Sequence, residues 1–472
     1  MVYLCSVLVR QKSPGFRNTT TGRRAENTRS TRTVDVQEVN KITNPVATER
    51  ILKKFIVLIA LLALYLSNAS AQVTPYGWRG PEHNGYYPDK GLQNKWGEKG
   101  PELVFETTDA GKGYSSPVIV GDRLYLTGMN EDETKEVFHC YNLKGEKQYT
   151  VVYGNPWKQS YPETRTTPAI DGDKAYVISG MGEIVCINTK DGSIVWSVDG
   201  GTKYQRKTGN WGTSECPLVY DDKIIYTPCG EQTTMVALNK NTGEEIWKTR
   251  SLNNHSGYVS PIMIEYKGKR QIVGSTATTA IGVNPDNGDI EWTFDNWGER
   301  YTGTPIRWGD IAPNSALYKD GKIFFCHGYN INGFQLQLAD DLKSVTCTWR
   351  TETLDTHHGG YVLVGGKVYG SNWINGNDGN WCCIDWETGE TNYEEKWTDG
   401  AGKGSIIAAD GKLFIYDERR GYVGLVNATP AKFDVVSKFR IEKGSGPYWA
   451  HMSINKGILY VRHGELLAAY KL

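Results

Sequence analysis

Apolar and polar positions alternate along most of this chain in short runs, each closed by turn residues. Residues 166–199, TTPAIDGDKAYVISGMGEIVCINTKDGSIVWSVD, show the pattern in full. A proline opens the first run, and Gly-Asp-Lys turns the chain into AYVIS. EIVCIN follows, and Lys-Asp-Gly leads into SIVWSV. Period-two alternation with β-branched residues between turn residues predicts short antiparallel strands, four to a unit. The unit recurs with anchors at Tyr125, Tyr176, Ile225, Ile272, Phe324, Tyr369, Phe414 and Tyr460, spaced 45–52 residues apart. A repeat of that length built only from strands predicts an all-β fold, an eight-bladed β-propeller of four-stranded antiparallel blades.

The last unit stops after GILYV and ELLAAYKL and has no outer strand of its own. Residues 101–107, PELVFET, form a lone strand ahead of the first unit. Closure is expected there, with the N-terminal strand completing the last blade and removing the exposed edges. Residues 72–100 are expected to be an ordered lead-in. A glycine is followed four residues later by an aromatic at Gly145/Tyr149, Gly192/Trp196, Gly243/Trp247, Gly288/Trp292 and Gly389/Tyr393. The glycine suits a positive-φ turn, and the aromatic suits packing between blades.

The N-terminal region departs from the pattern. Residues 55–66, FIVLIALLALYL, are an apolar run of 12, too short to span a bilayer and suited to the core of a secretory signal. Lys53 and Lys54 precede it, and Ala69-Ser70-Ala71 follows as a small-residue cleavage site. The expected organisation is an over-extended or disordered leader over 1–50, a signal peptide over 51–71, and one propeller domain over 72–472. Cleavage near Ala71 sends the mature chain to the periplasm or the outside of the cell, with no transmembrane segment. Residues 1–71 hold 11 Lys/Arg and 4 Asp/Glu of the 53 of each kind, so the mature part carries a net charge of −7. That balance gives no general attraction for nucleic acid. Eight cysteines remain, too few for a disulfide scaffold at this size, and no Cys-x-x-Cys-His haem motif occurs.

Two stretches carry a family resemblance: Ile187-Asn188-Thr189-Lys190-Asp191-Gly192 through Trp196, and Leu238-Asn239-Lys240-Asn241-Thr242-Gly243 through Trp247. They resemble the pyrroloquinoline-quinone (PQQ)-like repeats of eight-bladed propellers in the quinoprotein alcohol dehydrogenase-like superfamily. Trp78-Arg79-Gly80-Pro81 with Asn84-Gly85 is similar to the opening of secreted bacterial members. The resemblance implies the fold over residues 78–472. For function it implies two classes: dehydrogenases that bind the quinone and a calcium ion at the mouth of the ring, and non-catalytic subunits of outer-membrane protein assembly. Some dehydrogenases stack the quinone on a vicinal disulfide, which draws notice to Cys382-Cys383. Cys383, however, falls at the third-strand position held elsewhere by Cys140, Cys186, Ala237 and Gly282, a position that takes a small residue for packing. Both are read as strand cysteines. The family's calcium ligands and catalytic aspartate have no residue-by-residue match.

Candidate chemistry gathers at one repeat position. The segment just before each first strand opens onto one face of the ring near its axis. Those segments hold Tyr114, Arg165, Trp211, Glu215, His255, Tyr258, Tyr301, His357, His358, Lys403, Trp449 and His451. Four of the chain's eight histidines are among them. Aromatic rings with cationic hydrogen-bonding groups suit a flat or sugar-like ligand carrying negative charge. No close-spaced ligand motif marks a metal site, and His357-His358, adjacent on an extended segment, are expected to send one ring into the pocket. Asn375 to Asn380 read as a long hairpin turn, since a calcium loop needs a bidentate acid they lack. His83, His139, His327 and His463 share no position and read as structural or surface residues.

The expected function is binding of a small molecule or carbohydrate at the axial mouth, with catalysis left open. The alternatives are a PQQ-dependent dehydrogenase, a non-catalytic assembly scaffold with a protein partner, and a propeller polysaccharide lyase using His255 or Tyr258 as base.

Overall fold

The computed structural model describes residues 75–295, 311–329, 331–398 and 402–472. The expected leader and signal peptide and the rim residue Tyr301 lie outside the described residues. Within them the alternating pattern forms eight antiparallel blades in sequence order, and helix is confined to the turn Gly200–Lys203. Blades 1 to 7 span 118–154, 169–199, 218–248, 262–294, 317–351, 361–395 and 404–440. Blade 8 spans 453–471 and takes Glu102–Thr107 as its outer strand, paired antiparallel with Leu466–Lys471. First strands of neighbouring blades touch one another and so surround the axis. No helix among the described residues is long and apolar enough to cross a membrane.

The repeat register holds in most blades. Third-strand Cys140, Cys186, Ala237 and Cys383 face Tyr125, Tyr176, Ile225 and Tyr369. In blade 4 the partner of Gly282 is Val273, so the anchor shifts by one residue from Ile272. Two adjacent β-branched apolar residues leave that choice open in the sequence. Cys382 and Cys383 are both free thiols buried in the strand Trp381–Asp385.

The glycine–aromatic signal has a second cause beyond turn geometry. Each glycine has positive φ. Its missing β-carbon also makes room for an aromatic of the preceding blade. Rings of Phe105, Tyr149, Trp196, Trp247 and Trp349 lie against Gly145, Gly192, Gly243, Gly288 and Gly389 respectively. Three of these aromatics also hydrogen-bond across the same junction: Tyr149 to Thr189 O (2.7 Å), Trp196 to Lys240 O (3.0 Å) and Trp247 to Pro285 O (3.0 Å). Adjacent blades are thus keyed together, glycine under ring.

The lead-in segment does more than precede the ring. Tyr76 exchanges both backbone hydrogen bonds with Ile170 of blade 2, at 2.8 and 2.7 Å. Trp78 and His83 border Pro217-Leu218 of blade 3 and Pro261-Ile262 of blade 4. Arg79, 4% exposed, donates to the carbonyls of Asn84 and of Tyr361 in blade 6. Tyr86–Tyr87 then pairs, parallel, with the first strand of blade 7. Residues 76–87 therefore run inside the circle of first strands and fill it.

Candidate functional site

Two sets of loops open at the same end of each blade. Chain direction reverses at every antiparallel strand, so the segment before a first strand and the loop from second to third strand emerge together. Both sets line a cavity of about 470 Å³, within the range of small-molecule sites. Before first strands come Tyr114, Tyr161, Arg165, Trp211, Tyr258, His357, His358, Trp449 and His451. Second-to-third-strand loops add Tyr329, Trp373, Asn377 and Glu418, and the lead-in supplies Trp78.

Trp449 is the centre of one wall. Its ring lies 5.2 Å from Tyr114, 4.7 Å from Tyr161 and 5.1 Å from His358. Next to His358, His357 and Tyr329 each stand 4.5 Å from Trp373, and the Tyr329 hydroxyl hydrogen-bonds His357 Nε2 at 2.7 Å. Arg165 is steadied by the carbonyls of Ser160 and Tyr161. Burial lowers its pKa, against the pull of Glu136, Tyr114 and Glu163.

Lys403 and Glu418 form a buried pair, Glu418 in the cavity lining and Lys403 behind it. Lys403 is 1% exposed and reaches Glu418 Oε1 at 2.6 Å and Gly376 O at 3.0 Å. Burial pushes the Glu418 carboxyl up to about 7, with Lys403 opposing. His358 Nε2 lies 3.6 Å from Glu418 Oε2. Burial, then Lys403, lowers His358 to about 3. Burial lowers His357 well below the ordinary histidine value, with His358 and Lys403 adding to it. His451 is lowered to about 3, first by burial and then by Arg79. These imidazoles are neutral at physiological pH.

Most of the expected rim converges. Tyr114, Arg165, Trp211, Tyr258, His357, His358, Trp449 and His451 all line the cavity. Both adjacent histidines enter it, where one was expected. The chain bends at residues 357–359 instead of extending, and the two rings stand 4.1 Å apart. Lys403 lies one layer behind the lining. Glu215 does not reach the cavity; its neighbours Ser214 and Cys216 do, and alternation turns Glu215 inward, where both carboxyl oxygens accept from Thr227. His255 is exposed and outside the lining. Ser256 N donates to Lys207 O and Ala277 N to His255 O, holding the local backbone so that Tyr258 enters instead. The lyase reading thereby loses His255 as a base. Burial pushes the Tyr258 phenol up to about 12, far from a base at neutral pH.

Glu215 gives a pH test of the packing. Burial pushes its carboxyl from the ordinary 4.5 up to about 8. A raised folded-state pKa stabilises fully below the unfolded value, and that contribution is lost as pH rises through 8. Between pH 6 and pH 9 the parent protein should therefore lose more stability than Glu215→Gln, whose amide does not titrate. Urea denaturation at both pH values checks this; equal losses would refute it.

The fold and the axial cavity define the class as an eight-bladed β-propeller of PQQ-like repeats. The family profile described as "Outer membrane protein assembly factor BamB" matches residues 135–398, more than half the chain, and the chain belongs to that PQQ-like propeller family. A curated relative of the same description from Alkalilimnicola ehrlichii is 23% identical over 215 residues, 45% of this chain and 50% of that protein. The chain thus matches half the length of that relative. Among solved structures, BamB from Moraxella catarrhalis superposes with a TM-score of 0.55 at 13% identity, covering 79% of this chain and 100% of its own. The quinohemoprotein alcohol dehydrogenase of Comamonas testosteroni gives 0.58 at 12%, covering 86% and 82%. These likenesses show the fold.

The calcium ion that the dehydrogenase branch implies beside its quinone does not fit the described lining. Calcium takes six to eight oxygens, whereas the donors clustered here are two imidazoles and one carboxylate with an oxygen already held by Lys403. The vicinal cysteines are packed inside blade 6, away from the lining.

Proposed function

We propose that this chain is an exported PQQ-like propeller that binds a carbohydrate or similar small molecule at its axial mouth. The observation that carries the reading is the Trp449 wall. Rings contributed by blades 1, 2 and 6 surround the indole of blade 8, beside Arg165 and neutral imidazoles. Such a box stacks on the C–H faces of a sugar, and the polar edges take its hydroxyl or carboxylate oxygens. The apolar run before Ala71 supports export to the periplasm or beyond. Titration of tryptophan fluorescence with neutral and uronate oligosaccharides is expected to give saturable binding. Trp449→Ala should weaken it at least tenfold. No saturation across both sugar classes would sink the reading.

The family membership favours a second reading, a scaffold for protein partners in outer-membrane assembly. Under it, Trp449→Ala leaves capture of the partner unchanged, because docking would use blade surfaces outside the cavity.

A further inference from the structure

The cavity wall contains three donor atoms with no partner of their own. His357 spends Nε2 on Tyr329, and its Nδ1 has none. Glu418 spends Oε1 on Lys403, and its Oε2 has none. His358 Nε2 is also without a hydrogen bond, although its ring is 26% exposed toward the cavity. All three atoms are shut off from solvent, and one donor atom of each residue lies within 4.8 Å of the others. An unsatisfied buried donor or acceptor costs about 1–3 kcal/mol, and one ion among these three atoms would satisfy them together.

We propose that His357 Nδ1, His358 Nε2 and Glu418 Oε2 bind one divalent transition-metal ion at the floor of the cavity. Two imidazoles and a carboxylate select zinc, iron, cobalt, nickel or copper over calcium and magnesium. Three protein ligands leave coordination positions open, and these face the aromatic cavity, where an oxygen of a ligand or a water can enter. The outer groups are in place as well. With Nδ1 on the metal, His357 carries its proton on Nε2 and donates it to the Tyr329 oxygen, which fixes tautomer and ring angle. Lys403 holds the far oxygen of Glu418 and so aims the near one. The three ligands come from two blades, the segment before blade 6 and a loop of blade 7, so the ion also ties those blades together at the mouth. The inference rests on the cavity as the site but not on a sugar as its occupant.

The test uses the untagged full chain stripped with chelator and dialysed against Zn²⁺ or Co²⁺ without any organic ligand. One equivalent of metal per chain is expected, with the visible absorption bands of a low-coordinate Co²⁺ site. His358→Ala and Glu418→Gln should each lower affinity at least tenfold. Tyr329→Phe should lower it about 10–100-fold, as for other outer-shell partners. Zinc-edge X-ray absorption of the loaded parent protein, which needs no reagent access to these buried nitrogens, should show two imidazoles among nitrogen and oxygen ligands. That readout serves if a variant fails to fold. No bound metal, unchanged affinity in folded variants, or bound zinc without two imidazole ligands would overturn the proposal. Because no sugar is present, such a failure would leave the carbohydrate reading standing.

Discussion

Arg462→Leu is expected to cost the protein about 3–5 kcal/mol, seen as a large fall in the urea midpoint. Arg462 is 0% exposed and lies in the second strand of blade 8. Its guanidinium reaches across the junction to blade 1. Nη1 donates to Ser115 Oγ (2.7 Å) and Thr127 O (2.6 Å), Nη2 to Gly111 O (2.8 Å), and Nε to Gly464 O (2.9 Å). Burial lowers its pKa to about 10, so the charge persists at neutral pH. Leucine leaves several acceptors buried without donors, at about 1–3 kcal/mol each, and its smaller volume adds a void. Arg462→Lys keeps the charge and up to three donors and should fall between. A loss under about 1 kcal/mol for the leucine variant would show that the junction does not depend on this residue. The effect should extend to the mouth. Tyr114 follows directly on the loop that Arg462 holds, and its ring forms part of the Trp449 wall. If the mouth binds a sugar as proposed, affinity for it should therefore fall in the same variant even where it is still folded.

The seam that Arg462 closes was only half legible from the sequence. The missing outer strand of the last unit points to Glu102–Thr107, because strand count and alternation are periodic properties. Arg462 shows no signal of its own, since a lone arginine in a strand gains meaning only from the carbonyls the fold brings to it. The same division runs through the cavity. Residues before first strands could be found by repeat position, and eight of them do line it. Tyr329, Trp373 and Glu418 sit in second-to-third-strand loops that vary in length and carry no periodic mark. Antiparallel geometry alone, applied to the other loop of each blade, would have singled them out. The bend that brings in both His357 and His358 is announced only by Gly359-Gly360, where Gly360 has a φ of 70°. The path of Trp78 through the ring follows from closure of all eight blades, which no local pattern encodes.

Gly288→Ala should destabilise by about 2–5 kcal/mol, and a second glycine separates the two causes. Gly288 has a φ of 79°, where a β-carbon alone costs about 1–2 kcal/mol. That β-carbon would also lie 2.6 Å from Cε3 of Trp247 in the preceding blade. The indole cannot retreat easily, because it is buried and its Nε1 is held by Pro285 O at 3.0 Å in the same turn that carries Gly288. Overpacking of this kind adds about 1–3 kcal/mol. Gly172 has a φ of 59° and nothing within 4 Å of where its β-carbon would stand, so Gly172→Ala carries only the backbone cost. The difference in urea stability between the two variants measures the interlock itself. Equal losses would mean that the recurring glycine serves the turn and nothing more. A larger loss at Gly288, relieved by Trp247→Leu in the double variant, would make the glycine and the ring of the blade before it one structural unit. The repeated spacing of glycine and aromatic would then record contacts between successive blades, with the turn as their common frame.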